Sequence, residues 1–158
     1  MAHLCLVRVD SRMIHGQVMT MWSKFDGVNH ILAIDDGIAA DPFMQEIYKM
    51  AVPHTLKVSM ISVKEAAERF QNGTLDDDRY LVLFKECNTP LRAWKEGFKF
   101  EELQIGNLTP TKKTKILHSR TRLSEEHMDD LRELAGFGVN VYAQAVPTDR
   151  KIPLSEIK

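Results

Sequence analysis

At 158 residues the chain is the size of one ordinary domain, spanning 1–158, with enough length to bury roughly two-thirds of its unfolded surface around a single core. Its 44% hydrophobic and 27% charged residues are a globular composition, and no apolar stretch approaches the roughly 20 residues that span a bilayer. A formal net charge of −1 lacks the excess of Lys and Arg that general nucleic-acid binding needs, and residues 1–9 lack the basic region, apolar core and cleavage site of a secretory signal, so a cytoplasmic protein without nucleic acid as a partner is expected.

The elements alternate along the chain. The apolar run Leu4-Cys5-Leu6-Val7 predicts a buried first strand, and the loop Arg8 to Gly16 leads into a helix expected over Gln17 to Lys24. Ile31 to Ile34 predicts a second strand. Asp41-Pro42 supplies an N-cap and a first-turn proline for a helix through about Ala51, closed by Pro53. Lys57 to Ile61 predicts a third strand, and Ser62-Val63-Lys64-Glu65 a capping box whose helix runs through Phe70 and stops near Gly73. Tyr80 to Phe84 is the most hydrophobic strand candidate and a central one. Thr89-Pro90 opens a helix that ends at Gly97, Leu103 to Ile105 and Lys115 to His118 predict strands, Ser124 caps a helix through Ala135, and Val139 to Ala145 predicts the last strand. The tail from Val146 onward is expected as a short helix at Leu154 to Ile157 or a flexible end. Strands and helices in alternation imply a single three-layer α/β domain: a mostly parallel central sheet of about six to seven strands, helices on both faces, and ligand groups gathered at the carboxyl ends of the strands.

His15 lies at such an end. The string Arg8-Val9-Asp10-Ser11-Arg12-Met13-Ile14-His15-Gly16-Gln17-Val18 sets one histidine among two arginines, a carboxylate and a glycine. A neutral imidazole nitrogen can act as a nucleophile and carry a covalent group, and Asp10 could accept the proton on the other nitrogen and fix the tautomer. Arg12 can donate bidentate hydrogen bonds to phosphate oxygens, Arg8 would add a second positive charge, and Gly16 would let the backbone come close to the ligand. A helix beginning at Gln17 would add unpaired N–H groups. The same residues are also compatible with a loop histidine whose neighbours are incidental.

Other constellations say less. There is no Gly-x-Gly-x-x-Gly and no P-loop, so no nucleotide cofactor is indicated. His3, His30, His54, His118 and His127 lack the spacing of a zinc site, and no metal is expected. Cys5 and Cys87 read as reduced core residues. Asp35-Asp36 reads either as loop carboxylates near a phosphate or as charges opening a helix. Met21 and Trp22 read as core. Lys112-Lys113-Thr114-Lys115, with Arg120 and Arg122, is a solvated loop or a docking patch for an acidic partner.

The string RVDSRMIHGQV, with Trp22 following, resembles the signature of the B subunit of enzyme II in the mannose/fructose/sorbose family of the bacterial sugar phosphotransferase system, usually close to R-I-D-D-R-L-I-H-G-Q-V. The resemblance continues through Asp35-Asp36, Leu83-Phe84, Gly106-Asn107 and Gly138-Val139-Asn140-Val141, and so covers essentially the whole chain. It implies a cytoplasmic phosphocarrier in which His15 accepts a phosphoryl group from the A subunit, through Nδ1, and passes it to a sugar held by the membrane C and D subunits. Arg12, Asp10, Arg8, Gly16 and Gln17 would bind or orient the phosphate, without a cofactor. Ser11 departs from the family's second Asp. Gly106-Asn107-Leu108, with the segment Gly138 to Gln144, looks more like the N-acetylgalactosamine or galactosamine branch. The alternative of another class is a non-catalytic phospho-ligand or regulatory module using the same loop.

Overall fold

The computed structural model describes residues 2–16, 18–109, 115–118 and 121–157. In chain order the elements are β1 (His3–Val9), a π-helical segment (Val18–Trp22), β2 (His30–Ile34), α1 (Asp36–Ala39), α2 (Pro42–Met50), β3 (Lys57–Ile61), α3 (Val63–Asn72), β4 (Arg79–Phe84), α4 (Thr89–Glu96), β5 (Glu102–Ile105), β6 (Lys115–His118), β7 (Thr121–Leu123), α5 (Glu125–Gly136), β8 (Asn140–Ala143) and β9 (Ile152–Pro153), with a short 3₁₀ turn at Leu154–Glu156.

Local chemistry accounts for most of these boundaries. Asp41 accepts the Met44 N–H at 3.2 Å, Ser62 the Glu65 N–H at 3.1 Å and Ser124 the His127 N–H at 3.1 Å, so each α-helix with a predicted cap starts where its cap sits. Gly73 closes α3 with φ of 66°, a left-handed turn that a side chain would strain. Asp35 caps α1 through Ile38 N–H at 3.0 Å. Asp36 accepts the Val63 N–H at 2.9 Å and pairs with Arg92 at 2.8 Å. The acidic pair therefore opens helices.

Seven strands form one sheet in the order β3-β2-β4-β1-β5-β8-β9, parallel except for β9, which runs against β8. Two expectations are corrected. Lys115–His118 does not join this sheet; it pairs antiparallel with β7 in a separate two-stranded ribbon. The helix expected over Gln17 to Lys24 is a short π-helical segment, in which Ser23 N–H reaches back to the Val18 carbonyl at 2.9 Å.

Both faces of the sheet are covered. One face packs Val7, Val9, Leu32, Val82, Phe84 and Leu103 under α3, α4 and α5. The other packs Leu6, Ile31, Ala33, Leu81 and Leu83 under the 13–22 segment, Ile38 of α1 and Tyr48 of α2. Trp22 is core as expected, whereas Met21, the other half of that expectation, points outward and is exposed. The chain leaves β1 toward β2 on one side of the sheet and leaves β5 toward β8 on the other. The carboxyl ends of β1 and β5 are thus the switch point where an open α/β sheet forms its crevice.

Candidate functional site: a histidine and carboxylate held by a buried arginine

The loop that leaves β1 is anchored on both neighbouring strands. Asp10 N–H bonds the Phe84 carbonyl at 2.9 Å, and the Val9 carbonyl accepts Gly106 N–H at 2.9 Å. The chain then turns sharply, Met13 N–H returning to the Asp10 carbonyl at 3.0 Å, with Met13 fully buried and held at φ 57°. A left-handed conformation is costly for a non-glycine residue, and here the apolar packing of Met13, Ile14 and Val18 over-determines it. Ser11, the departure from the family string, stitches this loop to the segment after β5: its N–H donates to the Asn107 carbonyl and its Oγ accepts the Thr109 N–H, both at 2.8 Å.

The turn brings His15 back over Asp10, its Nε2 3.1 Å from Asp10 Oδ2. Asp10 is fully buried and His15 is 14% exposed. Beneath them lies Arg8, also without exposure. Its Nε and Nη2 donate to Asp10 Oδ2 at 3.4 and 3.3 Å, Nη1 to Gln104 Oε1 and to the Gln144 carbonyl at 2.9 Å, and Nη2 to the Ala145 carbonyl at 3.1 Å. Trp22 closes the nest, its ring 5.2 Å from the guanidinium and its indole N–H on the Ala145 carbonyl at 3.2 Å. Gly106 has no room for a side chain, since a Cβ there would lie 2.3 Å from the guanidinium carbon of Arg8.

Burial by itself would raise the Asp10 carboxyl. The hydrogen bond from His15, the charge of Arg8 and the Arg12 N–H on Oδ1 at 3.0 Å outweigh it and hold the group below the ordinary carboxylate range. Burial pulls the Arg8 guanidinium below its ordinary value, opposed chiefly by Asp10. An ionised carboxylate only accepts hydrogen bonds, so the proton of neutral His15 sits on Nε2 and the lone pair on Nδ1.

Asp10, Arg8 and His15, all predicted from the sequence, come together as a chain of contacts. Arg8 is turned inward: the carbonyls of residues 144 and 145 and the side chains of Asp10 and Gln104 take its donors inside the fold. Arg12 is exposed on the rim of the loop. Gly16 is exposed, and a Cβ on it would meet nothing within 4 Å. Gln17, Lys112 and Lys113 lie outside the described residues. Asp35 and Asp36 serve helices. Cys87 is buried, its thiol pushed up to about 12 by desolvation, and Cys5 is half-buried; both are free thiols. Sequence reasoning misses Gln104 and Gln144, although each stands as an amide within an otherwise apolar strand run.

Among the described residues two groups could gather metal ligands, His3/Cys5/Asp26 and His30/Asp76/Asp78. In each a carboxylate already holds a cation of the protein, Arg79 on Asp26 at 2.8 Å and Lys57 on Asp78 at 3.0 Å. Neither group includes His15. No helix among the described residues is long and apolar enough to cross a membrane.

Fold and site together define a doubly wound parallel α/β domain with a histidine–carboxylate loop at its switch point. Residues 4–157 match the PTS system sorbose subfamily IIB component, and the chain belongs to that family. It is 36% identical to manxB of Thermoanaerobacter tengcongensis, whose crystal structure superposes with a TM-score of 0.90 over 99% of this chain and 95% of that one. It is 29% identical to the sorbose-specific EIIB component of Lacticaseibacillus casei over 98% of this chain and 92% of that protein. Against the mannose-specific EIIAB component of Escherichia coli K12 it is 23% identical over 96% of this chain and 47% of that longer protein. As a IIB component of the phosphotransferase system, the protein is a phosphotransferase that receives a phosphoryl group and passes it to sugar, in company with IIA and membrane components. Nothing favours the alternative of a non-catalytic phospho-ligand module.

Proposed function

We propose that His15 carries the phosphoryl group on Nδ1. What supports this reading is the Asp10–His15 contact: with Nε2–H held by a buried carboxylate, the lone pair of Nδ1 is the nucleophile. In the accepting step Nδ1 attacks the phosphorus of a phosphohistidine on the A subunit. The new N–P bond forms as the donor's N–P bond breaks, and the donor ring keeps the electron pair. The phosphorylated ring keeps Nε2–H against Asp10, so its leaving group in the second step is neutral imidazole. There a sugar hydroxyl, bound by the membrane subunits, attacks phosphorus; the O–P bond forms, the N–P bond breaks and the hydroxyl proton is released.

Arg12 is placed on the rim to steady the equatorial oxygens, and the open surface at Gly16 leaves backbone accessible to the phosphate. Arg8 acts on Asp10 rather than on phosphate, and Gln17 completes the set as an orienting residue. The carrier works on the cytoplasmic side, associating peripherally with the C and D subunits, with no metal or other cofactor and no nucleic acid. Domain 1–158 is a single unit. An amino sugar is the proposed cargo, selected by the membrane subunits.

The test is incubation with phosphoenolpyruvate and the upstream carriers, with chelator present, followed by intact-mass and peptide mapping. One phosphoryl mass on His15, stable in base and lost in mild acid, is expected. Base-labile, magnesium-dependent label would point instead to an aspartyl phosphate, and label retained by His15→Ala would remove His15 from the role.

A further inference from the structure

The hydrogen bonds of Arg8 run past Asp10 to the far strands of the sheet. Gln104 of β5 presents Oε1 to Arg8 Nη1 and donates its own Nε2–H to Gln144 Oε1 at 3.1 Å. Gln144, just beyond β8, donates in turn to the Asp149 carbonyl at 3.0 Å and offers its backbone carbonyl to Arg8 at 2.9 Å. Gln104 is 1% exposed and Gln144 6% exposed. Two uncharged amides in this place do something that charged or apolar residues could not. They satisfy the outer donors of a buried guanidinium without neutralising it, so its charge stays committed to Asp10. Each amide also fixes the other: Gln104 spends its oxygen on Arg8 and its nitrogen on Gln144, and Gln144 spends its nitrogen on the 147–149 turn.

We infer that Gln104 and Gln144 are positioning residues for phosphoryl transfer, acting through Arg8 and Asp10 to hold the His15 ring with Nδ1 outward. This rests on His15 being the phosphoryl acceptor. Among the described residues, the charged and titratable groups tied into this chain of contacts are Asp10, Arg8, Arg12 and His15 from the loop segment, with Tyr142 of β8 beside Arg8 and Gln104, its hydroxyl pushed up to about 12 by burial. The balance that sets the His15 ring is thus one buried positive and one buried negative charge. A carboxylate at 104 would compete with Asp10 for Arg8 and tip that balance.

Gln104→Glu and Gln104→Met separate charge from hydrogen bonding. For Gln104→Glu, the added carboxylate should draw Arg8 away from Asp10, so phosphoryl acceptance should fall several-fold and the His15 Nε2–H resonance should be displaced. For Gln104→Met, acceptance should fall about tenfold at every pH, with the His15 Nε2–H resonance broadened. Gln45→Ala, which removes bonds to the Ile38 and Ala39 carbonyls and none to Arg8 or Asp10, is the control for a merely structural loss and should leave the His15 Nε2–H resonance where it is. Folded Gln104 variants with acceptance within about twofold of wild type and an unchanged His15 Nε2–H resonance would overturn the positioning role. Should Gln104→Glu fail to fold, the rate and the Nε2–H resonance of Gln104→Met decide the same question. A wild-type protein that takes up label elsewhere than His15 would instead overturn the parent assignment, which makes the two failures distinguishable.

Discussion

Two histidine–carboxylate pairs sit at opposite ends of the same sheet, and their geometry differs by a few tenths of an ångström at most. His15 Nε2 lies 3.1 Å from Asp10 at the carboxyl end of β1, and His30 Nδ1 lies 3.0 Å from Asp78 at the amino end of β2. In both the carboxylate also meets a cation, buried Arg8 in one and exposed Lys57 in the other. What separates them is the second nitrogen. His30 Nε2 is bonded to Ser59 Oγ at 2.7 Å, and the ring packs on Tyr80 with centroids 4.5 Å apart, so both nitrogens are consumed in holding β2, β3 and the loop before β4 together. At His15 the carboxylate takes one nitrogen, and no hydrogen bond among the described residues takes the other. A histidine–aspartate contact alone is therefore no sign of catalysis; a half-committed ring at the switch point of an α/β sheet is a strong one.

Exchanging the two histidines for alanine gives the largest contrast. His15→Ala should lose phosphoryl acceptance altogether while costing only about 1 kcal/mol of stability, from its single bond to Asp10. His30→Ala should do the reverse, accepting phosphate at a rate within about twofold of wild type while losing about 2 kcal/mol of stability from its unmade buried bonds. Equal loss of acceptance in both proteins would erase the distinction.

Arg12→Ala comes next. Removing one preorganised charge-stabilising donor costs about 10²–10³ in rate, and Arg12→Lys should recover part of it by supplying charge without the planar fork. Single-turnover transfer from the phosphorylated A subunit measures both, and an unchanged Arg12→Ala rate would make the residue a bystander.

The acid limb of stability sharpens the comparison further. Asp10 and Asp78 both have carboxyl groups below the ordinary value, so each contributes stability that is present above the unfolded-state pKa, near 4, and lost as pH falls through the folded one. Asp10 is buried with a buried cation and Asp78 shares its bond with an exposed lysine, so Asp10→Asn should flatten the fall in denaturation midpoint below about pH 4 more than Asp78→Asn does. Asp10→Asn should also cost about 3 kcal/mol at neutral pH, since it leaves Arg8 buried and unpaired. A neutral-pH loss no larger than that of Asp78→Asn would contradict the buried-pair account.

Gly16→Ala is the smallest expected effect on the fold and the most telling for the ligand. Nothing in the protein occupies the space of the added methyl group, so stability should change by less than about 0.5 kcal/mol. A drop of roughly tenfold in acceptance would then report contact with the incoming phosphoryl group itself.

Much of this arrangement was legible in the chain. Asp41-Pro42, Ser62 and Ser124 announced helices because caps act locally, and the apolar run Tyr80 to Phe84 announced a central strand because burial on both faces leaves no alternation. The Asp10–His15 pairing followed from residue types five apart at a strand end. The inward turn of Arg8 is decided by acceptors 96, 136 and 137 positions away, which no window of sequence brings into view. The same distance hid Gln104 and Gln144. Lys115–His118 read as another sheet strand because its propensity says nothing about which partner it takes. Gly106 and Asn107, which carry the resemblance to the amino-sugar branch, lie against Arg8 and Ser11, so their identities answer to the His15 loop as well as to any sugar.

The carbonyls that receive Arg8 belong to residues 144 and 145, while Arg8 itself sits in the first strand, which lies between β4 and β5. During vectorial synthesis the first strand leaves the ribosome long before either carbonyl exists, and its guanidinium must wait in water until β8 docks. Such long-range closure places this protein among slow-folding topologies. It also makes the completion of this nest a late event: nascent chains arrested before residue 144 lack the two carbonyls that take the outer donors of Arg8.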